Sequence, residues 1–83
     1  MKNLIFTHHA NDRLTERGVS KSEVYDTLKN PDITRLSEKG LGRLIAERRL
    51  KTGHTLRVIY TEDNEFYIVI SVIKIGRKRR GGR

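Results

Sequence analysis

The chain reads as an α+β domain in which two N-terminal helices pack on a four-stranded antiparallel sheet. Three observations predict this. Apolar residues recur at helical spacing up to Pro31, the period shifts toward two from residue 32 onward, and short polar turns of the hairpin kind join the later segments. With 83 residues there is room for one domain with a thin core.

The first helix is expected over residues 8–17. Thr7 is placed to cap its start, Gly18 can take the left-handed conformation that ends it, and Ala10 and Leu14 form its apolar border. A second helix follows at once. Ser20-Lys21-Ser22-Glu23 has the form of a capping box, Val19 and Val24 are spaced as a hydrophobic staple, and Asn30-Pro31 stops the helix. So tight a helical hairpin suggests a major-groove reader, but Lys21, Asp26 and Lys29 mix signs and offer no basic reading face.

Strands are expected at residues 33–36, 43–50, 55–61 and 66–75. The turns between them are Glu38-Lys39-Gly40, Lys51-Thr52-Gly53-His54 and Glu62-Asp63-Asn64-Glu65. Residues 66–73 are apolar on both faces, as a central strand would be. Alternation separates Arg43, Ile45, Glu47 and Arg49 from Leu44, Ala46, Arg48 and Leu50, and Arg57 and Ile59 from Leu56, Val58 and Tyr60. Which set meets solvent is left open. If the helices cover one face, the other is free for a ligand.

The domain is expected to span residues 1–75, followed by a flexible basic tail over 76–83 with no apolar residues to pack. The net charge is +8, and its distribution matters. Residues 1–40 carry seven Lys/Arg against six Asp/Glu, whereas residues 41–83 carry eleven against four. Much of the excess lies in Arg77, Lys78, Arg79, Arg80 and Arg83, a run suited to non-specific phosphate binding. No cysteine is present, so a disulfide framework and a Cys-based zinc site are excluded. No apolar run approaches the ~20 residues that span a bilayer, and residues 1–6 are too short an apolar stretch for a signal peptide. A cytoplasmic protein without membrane association is expected.

The densest chemistry lies in His9-Ala10-Asn11-Asp12-Arg13-Leu14-Thr15-Glu16-Arg17-Gly18. At about 100° per residue, His9, Arg13, Glu16 and Arg17 fall in one broad sector of the helix. This stretch, then Val19-Ser20, Val24 with Leu28, Asn30-Pro31, and later Gly53 with Leu56-Arg57-Val58-Ile59-Tyr60 leading into an Ile/Val-rich strand, resembles the family catalogued as domain of unknown function forty-two fifty-eight. That family is placed near the RelE/ParE/BrnT-like toxins. The resemblance implies a RelE/ParE-like fold of the kind used by bacterial toxin-antitoxin ribonucleases, in which basic sheet residues hold RNA. It also implies a cognate antitoxin protein and RNA, with ribosome-bound mRNA among the candidate substrates. Some relatives in the wider superfamily act on DNA gyrase, so fold alone does not fix the reaction.

Cleavage of RNA without a metal or other cofactor needs a group to take the 2′-OH proton, cations to stabilise the phosphate charge that develops, and an acid for the leaving oxygen. His9 is the first candidate for acid/base work, with Arg13 and Arg57 completing the catalytic set. Arg17, Arg48, Arg49, Tyr60, Lys74 and the tail residues Arg77, Lys78, Arg79 and Arg80 are the candidate RNA contacts. Each has a plainer role open to it. Arg13 and Arg17 can pair with Glu16, Glu47 can neutralise a strand arginine, Tyr60 can be a core residue, and Lys74 can be a solvated strand end. His8 and His9 point about 100° apart and do not make a metal site. His54 is expected in a solvated turn. The expected function is therefore a RelE-like toxin-type endoribonuclease, with a non-enzymatic nucleic-acid-binding module or a gyrase-type protein-interaction domain as alternatives.

Overall fold

A computed structural model describes residues 2–38, 40 and 42–76. The elements run β1 (Asn3–Phe6), α1 (His8–Arg17), α2 (Lys21–Lys29), β2 (Ile33–Leu36), β3 (Leu44–Arg49), β4 (Thr55–Glu62) and β5 (Phe66–Ile75). The strands form one sheet in the order β1-β5-β4-β3-β2.

This corrects the expected four-stranded antiparallel sheet. The sheet has five strands and is mixed, because residues 3–6 lie parallel to β5 with Leu4 opposite Tyr67 and Phe6 opposite Val69. A parallel pair needs a long crossover rather than a hairpin, so no turn signal beside residues 3–6 announces it. Both helices lie in that crossover and cover one face of the sheet. The strand expected to be central, β5, is interior, but β4 occupies the middle.

Local signals govern the helices. The Thr7 hydroxyl accepts the Ala10 N–H at 3.1 Å, and Gly18 closes α1 at φ +64°. Ser20 and Glu23 form the reciprocal capping box, with the Glu23 N–H donating to Ser20 Oγ at 3.0 Å and the Ser20 N–H donating to Glu23 Oε1 at 2.9 Å. Replacing Ser20 with Ala removes the acceptor of the Glu23 N–H and keeps the backbone N–H that donates to Glu23 Oε1. Urea denaturation is expected to show a loss of about 1 kcal/mol with the m-value unchanged.

The core joins Ala10 and Leu14 of α1, Val19, and Val24 and Leu28 of α2 to Ala46, Leu56, Val58, Tyr60, Val69 and Val72 of the sheet. Alternation is therefore resolved: Leu44, Ala46, Leu56, Val58 and Tyr60 face the helices, and the opposite set faces outward. In β5 the phase changes once. Ile59 pairs with Ser71 but Tyr60 pairs with Val69, which leaves Ile70 as the extra residue of a bulge. The bulge lets Val69 and Val72 both reach the core, while Ile68 and Ile73 stay on the open face opposite Thr61 and Arg57.

Residues 77–83 of the tail expected over 76–83 lie outside the described residues, and with them the expected phosphate contacts Arg77, Lys78, Arg79 and Arg80.

Candidate nucleic-acid interface

The outward face of the sheet brings cations together by register. Glu47 stands opposite Arg57 on β4 and opposite Ile33 on β2, while Arg35 stands opposite Ile45. Residues directly opposite in antiparallel strands share a face with neighbouring Cβ atoms. Arg57 Nε donates to Glu47 Oε2 at 2.7 Å, and Arg35 approaches the same oxygen at 3.3 Å. The carboxylate is the best shielded member, with its side chain 13% exposed against 31% for Arg57 and 48% for Arg35. Both guanidiniums thus meet one oxygen. Among the described residues, Glu47 Oε1 has no hydrogen-bond partner.

Beside this cluster lies a groove of about 320 Å³ lined by Arg35, Arg43 and Arg57, by Ile45, Ile59 and Ile73, and by Ser37 and Glu38. The isoleucines make an apolar floor, and apolar walls lower the local dielectric so that each guanidinium acts on an anion more strongly than in open water. Arg49, exposed at the end of β3, follows Glu47 by two residues on the same strand face.

The structure does not bring His9 and Arg57 to one phosphate. His9, Arg13 and Arg17 belong to α1, which packs on β5 and β1 on the covered side of the sheet, whereas Arg57 projects from the other side. His8 and His9 are exposed. Arg13 donates to Glu16, and Asp12 and Glu16 balance Arg13 and Arg17, so α1 has no excess charge apart from its histidines. His9→Ala is accordingly expected to leave any RNA cleavage within about twofold of the parent, measured on a labelled RNA with purified protein.

The remaining candidates separate by face. Arg48 turns toward the helices and donates to the Asn30 carbonyl at 2.6 Å, where a cation suits the C-terminal end of α2. It does not sit beside Arg57. Tyr60 is a core residue set edge-on to Tyr67 with ring centroids 5.8 Å apart, and burial first, then the charge of Glu62, raises its phenol above the usual value. Lys74 pairs in register with Leu56 and so belongs to the covered side. His54 Nδ1 lies 2.9 Å from Thr52 Oγ1 in the turn after β3. At the opposite turn the Asp63 carboxyl is held below the usual range by the N–H groups of Glu65 and Phe66. Among the described residues no group of three or more His, Cys, Asp or Glu is arranged to hold a metal ion, and no helix is long and apolar enough to cross a membrane.

Arg35, Arg43 and Glu47 are the site residues that sequence reasoning did not select. The alternation had already set Arg43 and Glu47 on one side of their strand with Ile45. What it lacked was the register that puts Glu47 against Arg57 and Arg35 against Ile45.

A helix-covered mixed sheet with an open arginine-lined face defines the class: a small two-layer α+β domain with one bare sheet face. The chain belongs to the family described as Domain of unknown function (DUF4258), whose model matches residues 6–74. That span runs from the end of β1 to the penultimate residue of β5 and holds every residue of the groove. Neither a curated protein nor a solved structure matches the chain.

Proposed function

We propose that the protein is a RelE-like toxin-type endoribonuclease that grips RNA on the open face of its sheet and cleaves it without a metal. The observation that carries this reading is Glu47 held between Arg35 and Arg57 with one carboxylate oxygen free of partners among the described residues. Two guanidiniums against one carboxylate leave a net positive charge, and Arg43 adds to it. A phosphate competes with Glu47 Oε2 for the guanidinium donors, which can grip its oxygens two at a time.

Glu47 then takes the role first assigned to His9. Its Oε1 accepts the proton of the ribose 2′-OH, the 2′-oxygen forms a bond to phosphorus, and the bond from phosphorus to the 5′-oxygen breaks. The leaving oxygen takes a proton from solvent, giving a 2′,3′-cyclic phosphate and a 5′-OH end. Arg57 and Arg35 stabilise the charge that builds on the phosphate oxygens.

The test is cleavage of a labelled RNA by purified protein in the presence of EDTA, with Glu47→Gln and Arg57→Ala alongside. Fragments ending in cyclic phosphate from the parent, lost in both variants, support the proposal. Tight, salt-sensitive binding with no turnover would replace it with a non-enzymatic RNA-binding module. A cytoplasmic toxin of this kind would be held inactive by an acidic antitoxin covering the same face.

A further inference from the structure

The chain has five aromatic residues, and none lines the groove of Arg35, Arg43 and Arg57. Phe6 and Tyr67 pack against the core, Tyr60 is buried within it, and Tyr25 sits on α2. Phe66 opens β5 opposite Asn3, whereas the β5 residue opposite Arg57 is Ile73. Seven residues of strand put Phe66 roughly 20 Å away. Sequence-selective grips on RNA splay bases onto aromatic rings and read their edges with amide or hydroxyl groups. Here the groove offers isoleucine methyls and guanidiniums, with Ser37 and Glu38 beside them and no ring on which a base could stack.

The cations, by contrast, form a line. Arg43 lies just before β3 and Arg49 ends it, with Glu47 and its two arginine partners between them. Six residues of strand separate Arg43 from Arg49 by ~20 Å, long enough to follow several nucleotides.

We infer that the open face holds an RNA strand by its phosphates along β3 and selects no base, so that the substrate class is RNA irrespective of sequence. This rests on the RNA-binding reading above and specifies how that face chooses its ligand. Arg43 and Arg49 are the outer phosphate contacts. Each is exchanged for condensed counterion when RNA binds, and each therefore contributes to the salt dependence.

The experiment uses the full chain and fluorescein-labelled dodecamers of A, U and C, with binding read by anisotropy across a salt series. The three dissociation constants are expected to agree within about threefold. Arg43→Ala and Arg49→Ala should each flatten the slope of log affinity against log salt by roughly 0.7, equally for every probe. Thermal melts of both variants check that they fold. A preference above about thirtyfold for one dodecamer would overturn the inference while leaving RNA binding intact. An unchanged slope in both variants would overturn the assigned path. Absence of binding to all three would remove the RNA reading itself.

Discussion

Glu47→Gln is expected to lower the turnover of RNA by at least about a hundredfold while RNA binding holds or tightens. The amide keeps the shape of the side chain but cannot take the 2′-OH proton, and general-base catalysis is worth roughly 10²–10⁴ in rate. It also removes the negative charge that Arg35 and Arg57 face at 3.3 and 2.7 Å, leaving both guanidiniums to the phosphate. Arg57→Ala behaves differently. It removes a donor to the phosphate, so both binding and turnover fall, with the turnover loss on the order of 10²-fold or more. A Glu47 that only tied strands together would change stability and leave the turnover of the folded fraction untouched. Single-turnover kinetics with separately measured affinities distinguish the two roles.

The largest stability effect is expected at Leu56. This side chain is fully buried at the junction of β4 with the helix layer, opposite Arg48 on one side and Lys74 on the other. Truncation to Ala removes its contacts and leaves a cavity, at a cost of about 2–5 kcal/mol. A domain of this size has total stability on the order of 4–12 kcal/mol, so the variant loses a large fraction of it. The melting temperature should fall by at least about 10 °C, and calorimetry measures it directly. Leu36→Ala, at a position 72% exposed on the edge strand, should change little and serves as the control.

These two residues mark different depths of legibility. Leu56 alternates with Arg57 and Val58, so its membership of an apolar strand face follows from period-two spacing. The helix ends were equally local: Thr7, Gly18 and the Ser20–Glu23 pair act within four residues of themselves, and they fall where the sequence put them. The N-terminal strand was different. Leu4 and Phe6 find their partners at Tyr67 and Val69, more than sixty residues on, and four residues carry too short a pattern to declare a strand alone.

The candidate site was half legible for the same reason. Arg57 was recognisable as a strand cation, and Glu47 as a carboxylate able to neutralise one. His9, Arg13 and Arg17 drew attention because helical spacing gathers them within a single element. Whether a helix and a strand share a ligand depends on which sheet face the helix covers, and spacing within each element does not contain that relation. The packing of the helices on Ala46, Leu56 and Val58 supplied it, and the register of β2, β3 and β4 set Arg35, Glu47 and Arg57 together on the open face.

RNA is expected to meet the bare face of the sheet. Methyl labelling of isoleucine with amide labelling of the backbone reports both faces at once, using the Glu47→Gln protein so that the RNA stays intact. On titration with a short RNA, the methyl signals of Ile45, Ile59 and Ile73 should shift progressively, and the amides of His9, Arg13 and Arg17 should stay in place. Shifts confined to α1, with those three isoleucines unmoved, would contradict the account and return the site to the helix.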